Sequence, residues 1–356
     1  GSSMEEVMMK KEGLSRLVNY VLVKVLAIFM VVAVHMLNMV ELMPPGDVWA
    51  YRIHEVIRTL LLTSNGLFFM VSGRFLLEHY RGQAGRFYWK RLVKIGIPVA
   101  LASLFYYVYV YGGNGMGAKF WKDFVRDFWQ SHIQGYFWFV FALAGFYLAV
   151  PFLSAMFRGL KRRELWLLFG VSLGYFFLQS LYQILGWEMV FTAYPFYSWI
   201  FYCILGYLLD ALQLTRRQRK GFLALGAAAF LISAWEVCFW HRENPVLHNY
   251  SVTMILMTSA LYLGLTEAGK RLKGIGAGMV SFLSVRSFYL YLMHGLTQYI
   301  VAGWAGEGAA GWGMWLVMSA ASFGLAFLLS IPLEWAYRPL SVWLCGLGKG
   351  ALRPKL

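Results

Sequence analysis

The chain has 356 residues, 60% of them hydrophobic and 14% charged, against about 45–50% apolar and about 25% charged residues in soluble domains. One water-soluble core cannot absorb that much apolar surface, so a lone soluble domain is excluded and lipid is the expected solvent. The formal net charge of +15 would suit nucleic acid, but the distribution of that charge argues against such a partner.

In chain order the apolar runs predict ten membrane-spanning helices, over 17–40, 56–77, 93–112, 135–157, 164–185, 189–212, 220–241, 250–267, 278–303 and 312–336. Each can cross about 30 Å of hydrocarbon. The fold class expected is an all-α, polytopic membrane bundle, with the 15 Trp and 22 Tyr available for its two interfaces. Counting residues within four positions of a span end with the adjoining gap, 24 Lys and Arg side chains fall on one side and six on the other, while Lys24 and Arg286 lie deeper within spans. Cytoplasmic loops carry the excess of basic residues, so both termini are expected in the cytoplasm. Most of the +15 therefore orients the protein and meets anionic lipid.

Gly1-Ser2-Ser3 ahead of Met4 reads as a tag remnant. Residues 1–16 form a cytoplasmic segment, 17–340 the transmembrane domain and 341–356 a cytoplasmic tail. Cys203, Cys238 and Cys345 have no spacing that suggests a disulfide framework or a zinc site. The longest outer segment, about 113–134, opens on "GGNGMG" and continues as "KFWKDFVRDFW" (119–129). Phe120, Phe124 and Phe128 recur every four residues beside Trp121 and Val125, the pattern of an amphipathic helix in the outer interface. Such a helix is either a plain anchor or an aromatic platform, with Trp121 on it, for a sugar or lipid acceptor.

The first span, "VLVKVLAIFMVVAVH" (21–35), carries two ionisable residues. Lys24 and His35 are eleven positions apart, three turns plus about 20°, so they share a helix face about 16 Å apart along the axis. Lys24 near the inner boundary either snorkels to headgroups or faces a wet interior. His35 is too deep to snorkel. It is either a neutral imidazole bonded between helices or a proton carrier.

A basic residue, ten others and a His in the first span resembles the family-three integral-membrane acyltransferases, in which Arg is usual and Lys accepted at the first position. Five more stretches agree in order. "GLFFMVSGRFLLE" (66–78) is similar to the family's F-F-x-x-S-G stretch, and "FYWKRLVKIGIP" (87–98) to its R-x-x-R motif, here Arg91-x-x-Lys94. "FWFVFALAGFYLAVPFL" (137–153) resembles the Trp-led fourth span, "SFYLYLMHGL" (287–296) a late Y-L-x-H, and "IPLEWAYRPL" (331–340) the terminal Glu and Arg-Pro.

The resemblance implies a bacterial cytoplasmic-membrane enzyme that moves an acyl group, usually acetyl, from cytoplasmic acyl-CoA to a hydroxyl of a cell-surface or lipid-linked glycan. It implies His35 as general base or acyl carrier, with Glu334 as a second catalytic candidate. Lys24, Arg91, Lys94, Arg74 and Ser72 become candidates for holding acetyl-CoA, with the cations suited to its phosphates. Trp138, His294 and Trp121 become candidates for the acceptor. The Ser72-Gly73 pair serves either substrate entry or close helix packing. Glu334 and Arg338, four apart, have the spacing of a helical ion pair.

No P-loop and no H-E-x-x-H is present, so neither nucleotide hydrolysis nor a metal is expected. The expected partners are acyl-CoA, a glycan or glycolipid and membrane lipid. The rival reading is a transporter of a small polar solute, with Lys24, His35, Glu236, His294 and Glu334 along its path. The membrane modules of vancomycin-resistance serine racemases, linked to serine supply, belong to the same family. No second copy of "FFMVSG" or of the basic-x10-His stretch marks the paired halves common in transporters.

Overall fold

A computed structural model describes residues 2–42, 46–240, 249–308 and 310–351, with side chains from 19 to 347. Arg242, Arg353 and Lys355 of the charge count lie outside the described residues, as do the side chains of Lys10, Lys11, Arg16 and Lys349. The helices in order are α1 (Ser2–Met36), α2 (Val48–His79), α3 (Ala84–Arg91), α4 (Ile97–Tyr111), α5 (Ala118–Trp129), α6 (Trp138–Gly159), α7 (Arg162–Leu185), α8 (Trp199–Ala211), α9 (Arg216–Trp235), α10 (Val252–Gly269), α11 (Gly274–Ala305) and α12 (Trp312–Ala351). Among the described residues, β-pairing is limited to a single bridge between Glu41 and Ala310.

Among the described residues, nine helical segments are long and apolar enough to cross a membrane, and Trp199–Ala211 is a shorter apolar helix. The chain is thus a polytopic all-α membrane protein. The predicted sixth span, 189–212, is where the helix is shorter than expected. Gly186 closes α7 with φ 67°, and Pro195 lies in the irregular stretch that follows. Ser198, at φ 79°, then starts α8 by accepting a hydrogen bond from the Trp199 amide. At about 1.5 Å per residue α8 covers about 20 Å, and residues 187–198 ahead of it are irregular. At the other two ends, α1 begins at Ser2 and α12 continues to Ala351.

α8 is the buried heart of the bundle, with Phe201 to Gly206, Leu208 and Leu209 all inaccessible. Water drives little helix association inside lipid, so close approach through small residues matters there. α2 and α8 meet in this way. A Cβ on Gly73 would stand 1.7 Å from the Cys203 carbonyl oxygen, and one on Gly206 would stand 2.0 Å from that of Met70. In an open helix Gly→Ala gains up to about 1 kcal/mol, as expected at Gly145, where a Cβ meets nothing within 4 Å. Gly73→Ala is expected to lower stability by about 1–3 kcal/mol, read as a lower Tm in detergent beside an unchanged or raised Tm for Gly145→Ala.

Between α3 and α4 the backbone makes a π-turn over Leu92–Gly96. Pro98 explains it. Proline has no amide hydrogen to donate, and its ring clashes with the carbonyl four residues back, here that of Lys94. A wider turn relieves both problems. It also rotates Lys94 away from the face that Arg91 occupies, and this decides which basic side chain reaches the interior.

Candidate active site

A cavity of about 610 Å³ runs among α1, α2, α3, α6 and α11. α1 gives it Tyr20, Lys24, Val31 and His35, a single helical face. α2 contributes Asn65, Phe68, Ser72 and Phe75, α3 contributes Arg91, and α6 contributes Trp138, Phe139, Leu143 and Tyr147. The fifth wall is α11, with Ser284, Ser287, Phe288 and Tyr291. The lining is mostly apolar, with Asn65, Ser72, Ser281, Ser284 and Ser287 as its uncharged polar groups besides the tyrosines and His35.

At one end stand Lys24 and Arg91. Lys24 is half-buried and, among the described residues, makes no ion pair. The Arg91 guanidinium lies 5.7 Å from the Phe87 ring and 5.9 Å from that of Tyr147, and its Nε has no hydrogen-bond partner. The lining contains no carboxylate. Two cations beside apolar walls with no acid in the lining to neutralise them are costly to hold.

At the other end is His35. Its Nδ1 lies 2.7 Å from the Val31 carbonyl oxygen. A carbonyl only accepts, so Nδ1 carries the hydrogen and Nε2 keeps its lone pair. The His35 ring is 6.0 Å from that of Tyr136 and 5.3 Å from that of His294. Tyr136 closes this end of the cavity. Its hydroxyl reaches the Leu292 carbonyl at 3.1 Å and the Tyr106 hydroxyl at 3.2 Å, while the Tyr291 hydroxyl donates to the Tyr136 carbonyl. Gly295 lets the Tyr136 ring lie against α11, since a Cβ there would come within 2.6 Å of it. Trp138 lines the wall beside Trp199, with centroids 5.2 Å apart.

Of the residues singled out by sequence, the structure gathers Lys24, His35, Ser72, Arg91 and Trp138 on this cavity and sets His294 directly behind His35. The Ser72-Gly73 alternatives divide between the two residues. Ser72 faces the cavity, and Gly73 packs against α8.

Four other candidates stand elsewhere. Lys94 is exposed, carried off by the π-turn. Arg74 lies in a separate pocket of about 420 Å³ with Glu78, Arg81, Arg158 and Asp210. There it is bonded to both Asp210 and Glu78. Asp210 also accepts from the Tyr20 hydroxyl at 2.7 Å and lies 3.3 Å from that of Tyr262, joining four helices. Trp121 sits on the outer helix α5, whose Phe120 and Phe124 pack on Tyr107. Glu334 turns to Arg286 of α11 at 3.5 Å, while Arg338 is exposed, so the expected ion pair of four-residue spacing is replaced by one between helices. Arg286 also lies over the Phe282 ring at 3.8 Å and donates to its carbonyl.

Sequence reading missed Tyr136, Asn65, Tyr291 and Asp210. Asn65 within "LLTSNGLFF" was the most accessible signal, as a carboxamide in an apolar span. Tyr136 and Tyr291 look like ordinary interfacial or core aromatics, and Asp210 acquires its role from partners far away in sequence. Among the described residues no three His, Cys, Asp or Glu side chains come together as a metal site.

Neither a curated protein nor a solved structure matches the chain. A family described as an acyltransferase domain matches residues 19–333, nearly the whole of the transmembrane bundle. With that match over a bundle of membrane-length helices, the chain belongs to the family-three acyltransferases and is a membrane acyltransferase.

Proposed function

We propose that this membrane acyltransferase takes its acyl group, acetyl in the first instance, from cytoplasmic acyl-CoA. The acceptor is a hydroxyl of a cell-surface or lipid-linked glycan, and the membrane is the bacterial cytoplasmic membrane. The observation that carries this reading is the polarity of the cavity: two cations without a carboxylate at one end, a mostly apolar lining, and an imidazole with a free Nε2 at the other.

Lys24 and Arg91 hold phosphate oxygens of the donor, Lys as a point charge and Arg through its planar fork. The thin pantetheine arm follows the apolar wall along the Lys24–His35 face, a rise of about 16 Å. The thioester then stands at His35. His35 Nε2 takes the proton of the acceptor hydroxyl as its oxygen attacks the thioester carbonyl carbon. The carbon–sulfur bond breaks, and the thiolate leaves as the thiol with that proton. Asn65, the carboxamide of the lining, is a donor for the oxygen that becomes negative. Trp138 offers a ring face to the acceptor, and the half-exposed Trp121 on α5 a platform at the outer surface. Ser72 lies along the donor's path, while Lys94 and Arg74 stand outside the cavity. Glu334 acts only through Arg286.

The test uses sealed vesicles holding the protein in one orientation, with radiolabelled acetyl-CoA supplied to one face. The reading expects label in the glycolipid fraction when the donor is on the face bearing the basic loops, and none when it is on the other. Solute flux independent of acetyl-CoA, without label transfer, would establish the transporter reading instead.

A further inference from the structure

The smaller cavity, of about 420 Å³, lies where α2, α6 and α8 all end on the face that carries the basic loops. α2 and the turn after it give it Arg74, Glu78 and Arg81, α6 gives Ser154 and Arg158, and α8 gives Asp210. The acyl transfer described above makes no use of it.

Its charges are not paired off. Arg74 is bonded to Asp210 and to Glu78, but through one oxygen of each, Asp210 Oδ2 and Glu78 Oε2. The Tyr20 and Tyr262 hydroxyls also reach Oδ2. Among the described residues, Asp210 Oδ1 and Glu78 Oε1 accept no side-chain hydrogen bond and are not sealed from the pocket. One cation thus serves two carboxylates, and this cluster keeps an excess of negative charge.

The same pocket holds two guanidiniums without a carboxylate. Arg81 donates through one nitrogen to the Glu78 and Tyr80 carbonyls, which closes the end of α2. Arg158 stands in the last turn of α6, where a cation favours the carbonyl end of the helix dipole. Those roles explain where the two residues sit. They leave most of the five N–H donors of each guanidinium without a protein acceptor. Among the described residues neither forms an ion pair, although Glu78 is only three positions from Arg81. A pocket that keeps an anionic cluster and two cations apart is complementary to a ligand carrying both charges.

The surroundings give the rest of that ligand. On α6, Phe152 and Leu148 are exposed about 9 and 15 Å further into the bundle than Arg158, so acyl chains can lie along the helix beneath a headgroup seated in the pocket. Basic pockets between membrane helices on the cytoplasmic side are a recurrent seat for phospholipid headgroups.

We propose that this pocket is a lipid site selective for a phosphoethanolamine headgroup. The phosphate lies on Arg81 and Arg158, which suit its oxygens through their planar forks. The primary ammonium donates to Glu78 Oε1 and Asp210 Oδ1. A choline headgroup has no N–H to donate there, and a glycerol headgroup has no cation. The inference is independent of the donor reading.

The experiment is native mass spectrometry of the delipidated full chain in detergent, titrated in parallel with dioleoyl phosphatidylethanolamine, phosphatidylcholine and phosphatidylglycerol. The expected result is one saturable phosphatidylethanolamine, held at least about 10-fold more tightly than either of the others, the worth of a hydrogen bond to a charged group. The double variant Arg81→Gln, Arg158→Gln should weaken that binding about 10–100-fold. Both residues are exposed, so it should keep the wild-type Tm. Glu78→Gln should bring phosphatidylethanolamine down to the level of phosphatidylcholine. Arg216→Gln with Arg217→Gln removes two exposed cations outside the pocket and should leave affinity within about threefold. Preference for phosphatidylglycerol, which a plain basic patch would show, or equal binding of all three lipids would overturn the proposal. An equal loss in the Arg216, Arg217 variant would do the same. Displacement of the lipid by free phosphoethanolamine at equal concentration would overturn the assignment to a lipid.

Discussion

Alanine at His35 is expected to lower acyl transfer from acetyl-CoA by about 10²–10⁴-fold, the usual contribution of a positioned general base. The same substitution should leave acetyl-CoA affinity within about threefold, because charge-assisted phosphate contacts supply most of the donor's binding. The Lys24–His35 separation underlies this split between turnover and binding. About 16 Å along α1 lies between the cations and the imidazole, so a change at one end leaves the other intact. Steady-state transfer and equilibrium binding on the same preparation check it. Parallel loss of both would place His35 in donor binding rather than chemistry.

Substitution at the opposite end should invert that pattern. Arg91→Ala and Lys24→Ala are each expected to weaken acetyl-CoA binding by about 10–100-fold, the range for a charge-assisted hydrogen bond. Arg91→Lys should recover part of the loss, since a point charge replaces a planar fork. Lys24→Met carries a second expectation. Lys24 is half-buried against apolar walls with no ion-pair partner among the described residues. Removing an uncompensated cation from such a place relieves a cost of about 1 kcal/mol or more, so the variant should melt at higher temperature than wild type when no donor is present. Adding acetyl-CoA should raise the Tm of wild type and barely move that of Lys24→Met. A fall in the Tm of the ligand-free variant would show that Lys24 is a structural snorkelling residue.

The residues legible from sequence were those whose geometry depends on one helix. Lys24 and His35 share a face by arithmetic alone, and the structure sets both on one cavity. The span pattern emerged from length and charge, and only the sixth element needed revision, because the irregular stretch around Pro195 delays its helix to Trp199. Legibility ended where a contact joins distant helices. Arg74 looks like a free cation until Asp210, 136 positions later, is placed beside it. Glu334 has an obvious neighbour in Arg338 but a real one in Arg286. Lys94 shows the same limit within a single helix. Regular α-geometry put it one turn from Arg91, and Pro98 removes that regularity. Tyr136 carried no sequence signal, since its role comes from contacts with α1, α4 and α11 at once.

The most direct test of the two-ended cavity is calorimetric binding of acetyl-CoA beside S-acetylpantetheine, which keeps the thioester and the arm but has no phosphate. The account predicts that acetyl-CoA binds, that S-acetylpantetheine binds at least about 10-fold more weakly, and that Arg91→Ala brings the two affinities together. Equal affinity of wild type for both compounds, or no binding of acetyl-CoA to the folded protein, would contradict it.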